Sequence, residues 1–134
     1  MPSYESTPWV EPPPLAESRV AIISTAGIHR RSDPEFALGA ADYRLIPGDI
    51  QPDDLVMSHV SVNFDRSGFQ QDINVVFPVE RLRELAEAGE IGGVAAWHYA
   101  FMGATAPQAL EESARQVARL LVRDGVTTAL LVPV

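Results

Sequence analysis

Thr128-Ala129-Leu130-Leu131-Val132 runs without a single charged side chain. A strand with one wet face alternates apolar and polar residues. This one does not, and it reads as a strand buried on both faces of a parallel sheet. Just upstream, Thr105-Ala106-Pro107-Gln108 has the spacing of a capping box, in which the Thr side chain accepts a terminal N–H and the Gln reaches back. Leu110, Ala114, Val117 and Leu121 then recur at helical spacing, and Glu111 and Arg115 stand at i,i+4 in the favourable order. Gly125 ends the helix. A helix returning into a buried strand is the working unit of an α/β fold.

The same alternation extends towards the N-terminus. Val94 to Phe101 is a strand candidate rich in aromatic and small residues. Before it, Pro78 to Ala86 has helical spacing, with Val79, Leu82, Leu85 and Ala86 on one face, Pro78 in the first turn and Gly89 past the end. Met57 to Val62 and Tyr43 to Ile46 read as short strands. Val20-Ala21-Ile22-Ile23 is a buried strand that ends in the small-residue loop Ser24-Thr25-Ala26-Gly27. Asp33-Pro34, Pro47-Gly48 and Pro52-Asp53 mark turns. Residues 1–18 carry five prolines and predict an extended arm, with Trp9 and Val10 available to dock it on the body or on a second subunit. The expected architecture is one α/β domain over residues 19–134, a three-layer sandwich around a mostly parallel sheet that is incomplete at the C-terminus.

Composition narrows the chemistry. The formal net charge of −8 argues against nucleic acid as a partner, because such proteins cluster Lys and Arg to displace counterions. No segment reaches the ~18 continuous apolar residues of a membrane span, and the Pro-rich start lacks a signal-peptide core, so a cytoplasmic protein is expected. Cysteine is absent, which removes disulfides, thiolate metal sites and a Cys nucleophile from these 134 residues. All ten basic residues are Arg, which removes a lysine Schiff base and the lysine of a phosphate-binding loop.

Two places can carry chemistry. In a parallel sheet, ligands sit beyond the carboxyl ends of the strands. The Thr25, Ala26, Gly27 loop follows the first strand there, and its backbone N–H groups could receive an anionic group. It lacks a dinucleotide fingerprint, and a plain tight connection is the other reading. The denser cluster is Ser58-His59-Val60-Ser61-Val62-Asn63-Phe64-Asp65-Arg66, followed by Asp72-Ile73-Asn74. A histidine near a carboxylate makes an acid/base pair, because the carboxylate orients the ring. A polar loop satisfying its own backbone is the alternative. The His and Asp spacing matches no metal motif, so no metal is expected. His98, in Trp97-His98-Tyr99, reads as a hydrogen-bonded core residue.

Three stretches taken together carry a resemblance: Ile23-Ser24-Thr25-Ala26-Gly27-Ile28; Ser58-His59-Val60-Ser61 through Asp72-Ile73-Asn74-Val75-Val76-Phe77-Pro78; and Leu82-Arg83-Glu84-Leu85 with Gly89-Glu90-Ile91-Gly92. The chain resembles the selenoprotein B family of glycine, sarcosine, betaine and D-proline reductases, especially its short members. The resemblance implies reductive cleavage of a carbon–nitrogen bond in a small amino-acid-like substrate by a selenocysteine or cysteine, with electrons from a thiol reductant. By position it implies His59 and Asp72 as catalytic residues, and Thr25, Ala26, Gly27, Asn63, Asp65 and Asn74 as substrate-binding residues.

The redox residue of that family follows a final strand like Thr128 to Val134. The expectation is therefore a chain truncated before it, with selenocysteine or cysteine just after Val134 in a full-length form, encoded at a UGA codon or supplied by a partner subunit. An oxidoreductase is the leading expectation. A non-catalytic subunit or interaction module, and a thiol-independent hydrolase or lyase using His59 with Asp65 or Asp72, stand as alternatives. An unfinished sheet edge leaves self-association open.

Overall fold

The computed structural model describes residues 9–61 and 66–134. Strand β1, Arg19–Ser24, forms the middle of the main sheet. Apolar on both sides, it can be covered on both faces, and Ala21 and Ile22 are fully buried. Next come β2, Ile28–Arg30, β3, Arg44–Pro47, and β4, Leu55–Met57. Helix α1, Ser67–Gln71, leads through a single 3-10 turn, Ile73–Val75, into α2, Val79–Glu87. Strands β5, Gly93–Val94, and β6, Trp97–Ala100, precede α3, Glu111–Arg123, and β7, Thr128–Val132.

β1 pairs in parallel with β7 along one edge and with β5 and then β6 along the other; β3 closes the far side antiparallel to β6. Successive residues of β6 feed opposite layers. Tyr99 packs with Phe101 and with Val117 of α3, whereas Ala100 packs with Phe77 and with Val79 and Leu82 of α2. The fold is therefore the expected single α/β domain, with a curled, mostly parallel sheet between helices. A second, two-stranded sheet joins β2 antiparallel to β4. No helix among the described residues is long and apolar enough to cross a membrane.

The strand expected over Val94 to Phe101 is broken, and the break has a clear cause. The N–H groups of Ala96 and Trp97 turn to the Asp124 carboxylate (2.8 and 3.2 Å), and the Ala96 carbonyl accepts from the Gly48 N–H. That leaves the Ile22 N–H of β1 without a carbonyl opposite. The His98 ring fills the gap, its Nδ1 accepting that N–H at 3.0 Å. His98 is fully buried, and its ring meets Phe77 edge to face.

Three other expectations are corrected. β7 is not buried on both faces: among the described residues it is an edge strand, and Leu131 is 66% exposed. An apolar run reports what a strand can bury, not which neighbours reach it. The capping box does not form. Thr105 is turned inward and donates to the Ala40 carbonyl at 2.7 Å, and the helix is entered through the 3-10 turn Pro107–Leu110. A tertiary acceptor has outcompeted the local one. The strand expected over Met57 to Val62 ends at Met57, where its partner β2 runs out, so Ser58 to Ser61 form a loop. Trp9 and Val10 of the arm lie exposed rather than docked on the body.

Candidate functional site

The carboxyl end of β1 is where the sequence reading and the structure coincide. Gly27 adopts a positive φ of 64°, open to glycine and strained for other residues. A side chain there would press on the main chain of His59, with Cα 3.1 Å away, so His59 is set directly against the Thr25, Ala26, Gly27 loop. Ser58 fixes this contact: its N–H and hydroxyl both donate to the Gly27 carbonyl, at 3.0 and 3.4 Å.

The loop N–H groups are engaged within the protein. Thr25 donates to the Val132 carbonyl, Ala26 to Ser24 Oγ and Gly27 to the Phe101 carbonyl. The loop thus works as a brace, not as an open anion nest. Its side of the sheet is joined by Gly103, whose N–H donates to the Thr25 carbonyl at 2.8 Å, and by Val134. The Thr25 hydroxyl accepts the Val134 N–H at 2.8 Å and donates to the Val134 main-chain oxygen at 3.2 Å. A Cβ on Gly103 would collide with that same oxygen. Gly103 and Val134 were not among the expected site residues. The signal for Gly103 was a glycine between a strand and a helix; Val134 was marked only as the position before the expected redox residue, and its contact with Thr25, 109 residues away, had no signal in the sequence.

His59 is buried, and its Nδ1 accepts the Ser61 N–H at 3.1 Å, which leaves the ring proton of the neutral form on Nε2. Burial holds the ring below its ordinary pKa, and the nearby Arg66 guanidinium adds to the effect. Arg66 also clamps the turn: its Nη2 donates to the carbonyls of His59 and Ser61, both at 2.6 Å.

Asp72 and Asn74 belong to a neighbouring cluster. Asp72 caps the 3-10 turn by accepting the Asn74 N–H and side-chain amide, at 2.9 and 2.8 Å, and these donors hold its carboxyl below the usual range. Asn74 in turn accepts the Glu80 N–H at the start of α2 and donates to the Glu80 carboxylate. Asp72 lines an open depression of about 530 Å³ with Arg31, Met57, Phe69, Gln71 and Glu80; neither His59 nor the Thr25 loop reaches it. The link between the clusters is Ser24, whose buried hydroxyl donates to the Val76 carbonyl at 2.8 Å just past the Asp72-capped turn. Asn63 and Asp65 lie outside the described residues. Among the described residues, no three His, Asp or Glu side chains are grouped to hold a metal ion.

Comparison with known proteins agrees with the family resemblance. The family model for glycine/sarcosine/betaine reductase selenoprotein B matches residues 1–133, so the match includes the Pro-rich arm. The chain is 35% identical over 133 residues to the D-proline reductase subunit gamma of Acetoanaerobium sticklandii, an alignment covering 91% of this chain and 54% of that protein. It thus spans about half the length of that curated relative. No solved structure matches it. The chain belongs to the glycine/sarcosine/betaine reductase selenoprotein B family.

Proposed function

We propose that this chain forms the substrate-positioning part of a cytoplasmic reductase that cleaves the carbon–nitrogen bond of a small amino-acid-like compound. The observation that supports the reading most is the Thr25–Val134 contact. It pins the main chain beyond β7 at the carboxyl edge of the sheet, beside the loop on which His59 packs. The nucleophile in this reading is a thiol or selenol. Such a group, carried beyond Val134 or by a partner subunit, supplies the nucleophile at carbon; the amine leaves with the bonding pair and a proton, and a dithiol that ends as a disulfide supplies the two electrons.

The residues present do the rest. Neutral His59, set against the Thr25, Ala26, Gly27 loop, is the residue assigned to the substrate in this reading. The Thr25, Ala26, Gly27 brace sets the floor, with Ser24 tying it to the turn after Asn74. In this reading Asp72 and Asn74 are positioning residues, acting through that turn and the start of α2. Asn63 and Asp65, four and six residues after His59 in sequence, are further substrate-binding residues in this reading. Binding of glycine, sarcosine, betaine and D-proline to the 134-residue chain, followed by NMR, tests this. One of the four should perturb His59 and Thr25, and His59→Ala should weaken it about tenfold or more. Four silent titrations would remove the reading.

A further inference from the structure

β7 carries a surface that substrate positioning does not use. Among the described residues it pairs only with β1. The Val132 carbonyl accepts the Thr25 N–H, so Val132 turns its backbone groups towards β1. With the two-residue period of a strand, Leu130 and Thr128 do the same, while the N–H and C=O of Ala129 and Leu131 point away. Open groups of this kind let an edge accept another strand. Natural edges are blunted by charge, proline or a covering segment; β7 has no charged residue and leaves Leu130 and Leu131 37% and 66% exposed. The helix that leads into it has an uncovered apolar stripe too: Ala114 and Ala118 are exposed and Val122 is 78% exposed, with Arg119 and Arg123 beside them.

We propose that β7 is a docking strand, and that its occupant is the segment equivalent to the part of the D-proline reductase subunit gamma that these 134 residues do not span. The length relationship selects this occupant. A relative 35% identical over the shared span keeps the same core, yet is about twice as long. Its remaining half must pack somewhere, and an apolar surface left open on the shared span is the kind of surface such a half covers. The added segment lays a strand along β7, taking up the backbone groups of Ala129 and Leu131, and buries Leu131. This rests on the family assignment and not on the reaction proposed above.

The 134-residue chain, co-expressed with the part of the Acetoanaerobium sticklandii subunit that has no counterpart in it, provides the test. The two should co-purify at equal stoichiometry, and exchange of the Ala129 and Leu131 amides should slow about tenfold or more. Leu131→Pro removes only an outward N–H, which an edge strand tolerates, so the lone chain should keep its thermal midpoint while the complex is lost. Leu131→Arg, with the backbone intact, should also abolish it. Failure to co-purify, or a complex in which those two amides exchange unchanged, overturns the proposal. So does a β7-mediated homodimer that the added segment fails to displace. Substrate titrations of the lone chain read out separately, so either idea can fail without the other.

Discussion

The Ile22 N–H of β1 donates to Nδ1 of His98 at 3.0 Å, so a side chain of one strand completes the ladder of its neighbour. That role needs an unprotonated Nδ1. Burial, with the Arg83 guanidinium helping and Asp124 opposing, lowers the His98 pKa to about 4. The unfolded chain therefore takes up the proton first. The stability from neutral His98 is present above about pH 6.5 and is lost as pH falls towards 4, on the order of 3 kcal/mol in all. Urea unfolding of the native chain and His98→Asn at pH 7.5 and pH 4.5 checks this. The native chain should lose more stability than the variant, and equal losses would refute it.

Two glycine substitutions should part company. Gly103→Ala places a methyl against the main-chain oxygens of Val134 and Thr25, atoms that cannot move independently, and should cost roughly 1–3 kcal/mol. Gly68→Ala lies inside α1 with open space around it and should be stabilising by about 0.5–1 kcal/mol. Thermal melts of both variants decide it. A Gly103→Ala protein as stable as the native chain would mean the crossing of residues 25, 103 and 134 is looser than described.

Thr25→Val keeps the shape of the side chain and removes both hydrogen bonds to Val134. The expected loss is about 1–2 kcal/mol, together with faster exchange of the Val134 amide. If that amide stays as protected as before, the hydroxyl is not what holds it.

Arg66→Ala removes the clamp on the His59–Ser61 turn and a positive charge near the ring. The His59 pKa should rise towards its ordinary value without reaching it, because burial is the larger cause of its depression. An NMR titration of the His59 ring reads the shift, and an unchanged midpoint would rule out the guanidinium as a contributor.

What the sequence made legible was mostly periodic. β1, α2 and α3 were readable because each repeats its apolar residues over enough positions to show a face. β2 was not readable, since Ile28-His29-Arg30 is three mixed residues whose only claim to be a strand is Leu55–Met57 opposite. Thr105 misled because a cap motif is local, whereas the acceptor that won it, the Ala40 carbonyl, is 65 residues away in sequence. At the candidate site, the His59 and Thr25 stretches were each singled out by family pattern, whereas their packing against each other was not legible, because it depends on Ser58 and Gly27 meeting in the fold. Nor were the occupied N–H groups of the Thr25 loop, because each acceptor lies on a segment only the fold brings near.

Thr25 and Val134 meet across 109 residues of sequence. Closing so long a loop costs chain entropy before the β1–β7 contacts repay it, so β7 should dock late in folding. Mutations such as Leu130→Ala should then speed unfolding and leave the refolding rate unchanged; a slowed refolding limb would place the strand in the nucleus instead. Until β7 locks, the Thr25 hydroxyl has no Val134 main chain to bridge, so the sheet edge beside His59 is completed in one step.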